Sequence, residues 1–291
     1  MDFTEESATP AVVESFAGTP DPRLREILGS LTRHLHDFIR EVEPTMEEWE
    51  RGVDFLTRTG QKCDDTRQEF ILLSDVLGVS MLVETINQRK AARAAGEPVT
   101  DSTVLGPFHM VDSPERAFGD SIDMVGTGQP CVVTGRVLSV DGTPLAGAAV
   151  DVWQADDQGF YDVQQPGAQP QGNGRGLFTT DEEGRFRFRT VVPAHYPIPT
   201  DGPVGELLGA TRRHPYRPAH IHFIAGHAGF QPVTTHIFVE DSPYLDSDAV
   251  FAVKKSLVQT FTEVDDAGLA AEYGVRAPFR LADFDIVLRA S

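Results

Sequence analysis

The hydrophobic period of this chain changes near residue 100, and that change limits the folds open to it more than any other feature. Between Pro22 and Ala95, apolar residues recur at three- and four-residue steps, the spacing of one face of an α-helix. In LREILGSLTRHLHDFIREV the stripe is Leu24, Ile27, Leu28, Leu31, Leu35, Phe38 and Ile39. A second helix is expected over MEEWERGVDFLTRTG, with Thr45 as N-cap and Gly60 as its stop. A third is expected over DDTRQEFILLSDVLGVSMLVETINQRK. It is apolar on nearly all sides between Ile71 and Val83, the mark of a helix buried in a core or a subunit interface.

After RAAGEPVTDS, short β-rich runs alternate with Gly, Pro and Asp turns: CVVTGRVLSV, AAVDVWQAD, PAHIHFIA, VTTHIFVE and FDIVLRA. LFTT, DEEG and RFRFRTVV read as a hairpin with Phe186, Phe188 and Thr190 on one strand face. Regularly spaced short strands predict a β-sandwich rather than a parallel sheet. EDSPYLDSD reads as a polar loop before one last helix over Ala249–Thr262. The expected architecture is mainly β, in three parts: an aperiodic, flexible leader (1–20), a helical domain (21–100) and a β-sandwich domain (101–291).

Charge narrows the function classes. Lys and Arg total 25 against 44 Asp and Glu, a net charge of −19. Such a surface repels phosphate backbones and anionic membranes, so neither is an expected partner. No apolar run reaches the roughly 18 residues a membrane span needs. MDFTEESATP is acidic where a secretory signal is basic, and Cys63 and Cys131 are expected to be reduced. The expectation is a soluble cytoplasmic enzyme or binding module.

The chemistry concentrates between Tyr161 and His236. In RPAHIHFI, strand alternation puts His220 and His222 on one face and Ile221 and Phe223 on the other. Two imidazoles side by side on a strand can ligate one metal, and they can equally be core histidines or part of a polar face. Tyr161 in GFYDVQ and Tyr196 in AHYPIP are two of only five tyrosines. A phenol ionises near pH 10, so only a strong cation such as ferric iron holds it as phenolate at neutral pH. Spacing alone does not show that the four residues meet.

LAGAAVDVWQADDQGFYDVQ, RGLFTTDEEGRFRFRTVVPAHYPIP and HPYRPAHIHFI resemble the core blocks of the intradiol ring-cleavage dioxygenases. These are non-haem Fe(III) enzymes that open catechol rings between the two hydroxylated carbons. RQEFILLSDVLGVSMLVETIN, STVLGPFH and VTTHIFVEDSPYLDSDAVF are similar to the branch of that family that cleaves hydroxyquinol (1,2,4-trihydroxybenzene). The resemblance implies one Fe(III) per chain held by Tyr161, Tyr196, His220 and His222, with Tyr196 displaced by substrate and Tyr161 retained. It places Arg217 on the family's active-site arginine, a fixed charge beside the reacting ring. A surface ion pair is the other reading of that residue.

The same resemblance implies a substrate pocket of Leu72, Asp75, Val104, Leu105, Gly106, Pro107 and His236, the last where catechol-cleaving relatives have Gln. Helix core for Leu72, turn geometry for Gly106 and Pro107, and a buried, satisfied imidazole for His236 stay open as structural readings. For Asp75 the alternatives are local pairing with Arg67 or Lys90, or acceptance of a hydrogen bond from the substrate's third hydroxyl. The implied partners are a small aromatic diol, O2, and a second copy of the chain joined through the helical domain, often with a phospholipid in an apolar tunnel. Three rivals remain: a catechol or chlorocatechol dioxygenase, a metal-free transthyretin-like binding module (suggested by GTPLAGAAVDV), and a zinc hydrolase.

Overall fold

Asp21 starts the first long helix by accepting hydrogen bonds from the backbone N–H groups of Arg23 (2.8 Å) and Leu24 (3.3 Å). In the computed structural model, which describes residues 2–64, 67–95, 99–109 and 112–291, this helix, α2, spans Pro22–Val42. It is preceded by α1 (Glu5–Ser15) and followed by α3 (Met46–Gln61). Residues 1–20, expected to be aperiodic, thus carry a helix. Thr4 and Ser7 cap one another's backbone N–H groups, a local device that apolar periodicity does not register. Thr45 and Glu48 form the same kind of box at the start of α3.

The chain divides into two compact units, Met1–Arg58 and Thr59–Ser291. The third expected helix is two, α4 (Glu69–Val76) and α5 (Val79–Ala95). Gly78 breaks it with a left-handed φ of 71°, which an apolar run does not forecast. These helices fall in the same unit as the strands, not with α1 and α2. The buried Glu69 carboxylate accepts from Val204 N–H (3.1 Å) on α6 (Pro203–Ala210), and Arg213 donates to the Val76 carbonyl (2.6 Å).

The strands are β1 (Pro130–Ser139), β2 (Ala149–Gln154), β3 (Arg175–Thr179), β4 (Arg185–Val191), β5 (Tyr196–Pro197), β6 (Tyr216–Arg217), β7 (His220–Gly226), β8 (Val233–Val239), β9 (Val258–Gln259), β10 (Thr262–Val264), β11 (Phe279–Asp283) and β12 (Ile286–Leu288). One five-stranded sheet runs β10-β11-β1-β12 with β4 also paired to β1; the other runs β3-β2-β7-β8-β9; β5 and β6 form a short ladder of their own. Val133, Val137, Phe186 and Phe188 of the first sheet share one apolar core with Val150, Val152, Phe178 and Phe223 of the second. Burying each such side chain contributes roughly 1.5–3 kcal/mol.

Three expectations are corrected. β3 and β4 are not a hairpin: β3 pairs with β2 and β4 with β1, so the DEEG turn crosses between sheets. Phe186, Phe188 and Thr190 do share a buried face. The last helix is not at Ala249–Thr262, which holds a 3-10 turn and short strands; it is α7 (Ala267–Tyr273), capped by Asp266. Finally, more described residues lie in helices than in strands, so the chain is mixed helix and sheet rather than mainly β.

Candidate metal centre and active site

β7 carries the site. Ile221 and Phe223 enter the core, which leaves His220 and His222 projecting from the opposite face. Neighbouring strands add to that face, with Trp153 of β2 and His236 of β8 directly opposite His222. The Trp153 ring stacks on His222 at 4.5 Å. Tyr196 arrives from the β5–β6 ladder, whose register pairs it with Arg217. Tyr161 arrives from the turn after β2, where Gln164 accepts its N–H (2.9 Å) and Phe108 stacks on its ring (4.6 Å). A buried Asp162–Arg175 ion pair (2.7 Å) holds that turn, and Arg175 also donates to the Phe108 carbonyl (2.7 Å).

Four donor atoms converge. Tyr161 Oη lies 3.3 Å from Tyr196 Oη and 3.1 Å from His222 Nε2, and His222 Nε2 lies 3.1 Å from His220 Nε2. Bonds of about 2.0–2.2 Å to a single tetrahedral ion put its ligands roughly 3.3 Å or a little more apart, so the set matches one metal. His220 donates Nδ1–H to the Pro218 carbonyl (2.7 Å), which puts its lone pair on Nε2, toward the other donors. Burial, and then Arg217, hold His220 neutral far below the ordinary 6.5. Burial, and then His236, do the same to His222. Burial, and then Tyr196 beside it, push the Tyr161 phenol well above 10, against the pull of Arg217 and Arg175. A phenolate here therefore needs a strong cation, and the two phenols with two neutral imidazoles fit a hard, highly charged ion.

Arg217 is no surface pair: it is 2% exposed and bonded to the buried Asp248 carboxylate (Nε–Oδ1 3.2 Å). Burial opposes its charge, but Asp248 and then the two tyrosines outweigh it and hold the guanidinium above its ordinary value. One Arg217 N–H reaches His220 Nε2 (3.2 Å), and Nη2 is buried without a partner among the described residues.

Asp75, Ser80, Thr103, Val104, Leu105 and Gly106 line a cavity of about 530 Å³. Gly106, at φ 75°, lies against His222: a Cβ there would come 3.1 Å from the imidazole. Among the described residues Leu72, Pro107 and His236 do not line this cavity. Leu72 sits in the apolar core, Pro107 is exposed, and His236 is buried against His222. Arg67, one local partner considered for Asp75, pairs instead with Glu69 and Asp201, and Asp75 takes a local hydrogen bond from Ser80. Burial raises the Asp75 carboxyl, opposed by a Ser80 hydrogen bond and by Arg217. Sequence reasoning missed Asp248, Thr103, Trp153 and the Asp162–Arg175 pair. Asp248 is 31 residues beyond Arg217, inside what reads as an ordinary polar loop, and no local pattern marks it.

A buried cluster of two tyrosines and neighbouring histidines with a guanidinium beside it, on one face of a sheet, is a donor set that fits a metal ion and marks the class as an enzyme acting on a small molecule. Comparison with known proteins narrows it. Residues 112–290 match the family described as dioxygenase, and residues 21–95 the one described as catechol dioxygenase N terminus. Hydroxyquinol 1,2-dioxygenase of Rhizobium sp. is 53% identical over 287 residues, 98% of this chain and 96% of its own. 6-Chlorohydroxyquinol 1,2-dioxygenase of Cupriavidus pinatubonensis is 50% identical over 288 residues, 99% of this chain and 98% of its own. The crystal structure of hydroxyquinol 1,2-dioxygenase from Pseudomonas putida superposes with a TM-score of 0.90 at 47% identity, covering 99% of both chains. The chain belongs to the intradiol ring-cleavage dioxygenases.

Proposed function

We propose that this chain is a non-haem Fe(III) dioxygenase that cleaves hydroxyquinol between its vicinal hydroxylated carbons, adding both atoms of O2 to give 3-hydroxy-cis,cis-muconate, a tautomer of maleylacetate. The observation that carries the reading is the convergence of Tyr161, Tyr196, His220 and His222 on donor separations of 3.1–3.3 Å. The likeness to relatives named for hydroxyquinol supports the substrate.

When bound, the ferric ion supplies the Lewis acidity that draws electron density from a vicinal diol and makes the ring reactive toward O2. Tyr196 Oη, on a two-residue ladder opposite Arg217, would be the ligand that accepts a proton from the incoming diol. Tyr161, walled in by Phe108 and anchored through Asp162 and Arg175, stays. Arg217 holds a fixed positive charge where negative charge builds on the ring, and Asp248 keeps it aimed. Asp75, whose charge neighbours include Arg217, accepts a hydrogen bond from the third hydroxyl.

On this reading the two sheets are the β-sandwich of a catalytic domain over residues 101–291 and residues 21–100 act as a helical dimerisation segment, although α4 and α5 belong to the same compact unit as the strands. The exposed apolar side chains of α2 and α3, Leu31, Leu35, Phe38 and Trp49 among them, suit a homodimer with phospholipid held there. Both cysteines are free thiols, as a reducing cytoplasm leaves them.

The purified protein is expected to be red to burgundy from tyrosinate bound to ferric iron, to hold one iron per chain, and to consume O2 with hydroxyquinol. Tyr161→Phe should lose most of the visible band with substrate bound, and Tyr196→Phe should keep it but chelate substrate slowly. Zinc on metal analysis, or a colourless iron-loaded protein, overturns the reading.

A further inference from the structure

His236 is the third imidazole at the centre, and the reading above gives it no part in holding the ion. It is fully buried, with its ring centroid 4.1 Å from that of His222 and 4.9 Å from that of His220. A ring nitrogen from each of the three lies within 4.8 Å of the other two, so distance alone admits three imidazole ligands. Hydrogen bonding separates them.

His236 Nδ1 meets the hydroxyl of Thr103, and among the described residues Nε2 has no partner. Thr103 is itself buried and fixed by its backbone N–H, which donates to the Thr234 carbonyl (2.9 Å). Its hydroxyl has one hydrogen to give, and among the described residues His236 Nδ1 is the acceptor it meets. Were Nδ1–H to donate instead, the threonine O–H and the Nε2 lone pair would both be buried without partners. With the threonine donating, Nε2–H alone is left. An imidazole protonated at Nε2 has no lone pair there for a metal. His220 shows the opposite arrangement: its Nδ1–H is spent on the Pro218 carbonyl, so its lone pair sits on Nε2, where an Arg217 N–H meets it at 3.2 Å. Adjacent strands thus present one tautomer built for ligation and another built for donation.

We propose that His236 is a hydrogen-bond donor and not a third metal ligand, its Nε2–H serving an oxygen of the reacting ring substrate, and that Thr103 is the positioning residue that holds it in that tautomer. The proposal rests on the iron-dependent ring cleavage proposed above.

The test uses iron-loaded protein and four variants: His236→Leu, His236→Gln, Thr103→Val and Thr103→Ser. All four should keep one iron per chain and the wild-type visible band. His236→Leu should lower kcat by about 10²-fold, the scale of losing one preorganised donor. His236→Gln, whose amide retains a donor, should stay within about tenfold of wild type. Thr103→Val, close to isosteric, should lower kcat by roughly tenfold with less change in KM, and Thr103→Ser should restore it. Iron loss in His236→Leu would make the residue a ligand. His236→Gln as slow as His236→Leu would remove the donor role, and a fully active Thr103→Val would remove the positioning role. A wild-type protein without iron or without hydroxyquinol cleavage fails differently: it overturns the underlying reading before any variant is compared.

Discussion

The two units of this chain depart from the usual distribution of residues in opposite directions. In Thr59–Ser291, Tyr161, Tyr196, Arg217, His220, His222 and His236 are all buried, and Arg217 Nη2, His222 Nδ1 and His236 Nε2 have no partner among the described residues. In the unit up to Arg58, Gly29 is the one buried residue among those described, while Phe38 is 54% and Trp49 52% exposed. Buried polar groups are costly unless something pairs with them, and an apolar stripe facing water calls for a surface to cover it. The first pattern suits a metal and a polar small molecule; the second suits a second apolar surface. Each anomaly therefore points to a different kind of partner.

Removing the buried charge is the strongest way to break this contrast. Arg217→Ala should lower kcat by about 10²–10³ with iron content unchanged, as expected for a group that stabilises charge arising mainly in the transition state. Steady-state kinetics check it: a change confined to KM would make Arg217 a uniform binding group.

On the exposed side, the wild type should sediment as a dimer, and Leu31→Glu with Leu35→Glu should yield monomers with the visible band intact. Each buried leucine contributes roughly 1.5–3 kcal/mol and is used twice across a two-fold interface. A wild-type monomer, or a double variant that remains dimeric, would remove α2 from the interface.

A smaller effect concerns selectivity. The wild type should prefer hydroxyquinol to catechol by at least about tenfold in kcat/KM, or ~1.4 kcal/mol, and Asp75→Leu should shrink that ratio. An unchanged ratio would leave Asp75 structural. Its carboxyl is raised above 3.8 by burial, so its favourable contribution to folding is full below 3.8 and is lost as pH rises through the raised value. Thermal melts of Asp75→Asn across that range should show the variant gaining on the wild type as pH increases.

The smallest effect lies at the surface. Arg67 and then Lys62 hold the Asp201 carboxyl down to about 2. Its contribution is therefore present above 3.8 and lost as pH falls toward about 2. Asp201 is 65% exposed and water screens the pair, so Asp201→Asn should cost less than about 1 kcal/mol in a denaturant titration at neutral pH.

What could be read without a fold is local. The stripe Leu24 to Ile39 predicts α2 because helix geometry alone brings residues three and four apart to one face. The alternation of His220 and His222 against Ile221 and Phe223 predicts a two-histidine face for the same reason. The two tyrosines proposed as ligands were legible only through resemblance, since Tyr161 and Tyr196 are separated by 35 residues and no period connects them. Tertiary structure decided the rest. It sent β3 and β4 to different sheets, although their connecting turn has hairpin character, because each strand pairs where its apolar face meets the shared core. It set Asp248 on Arg217 across 31 residues and Thr103 on His236 across 133. Periodicity constrains a side chain's direction over a few residues, whereas its partner is whichever group the packed sheets place opposite. The two-histidine face was thus written in the chain, and the groups packed around it were chosen only when distant strands met.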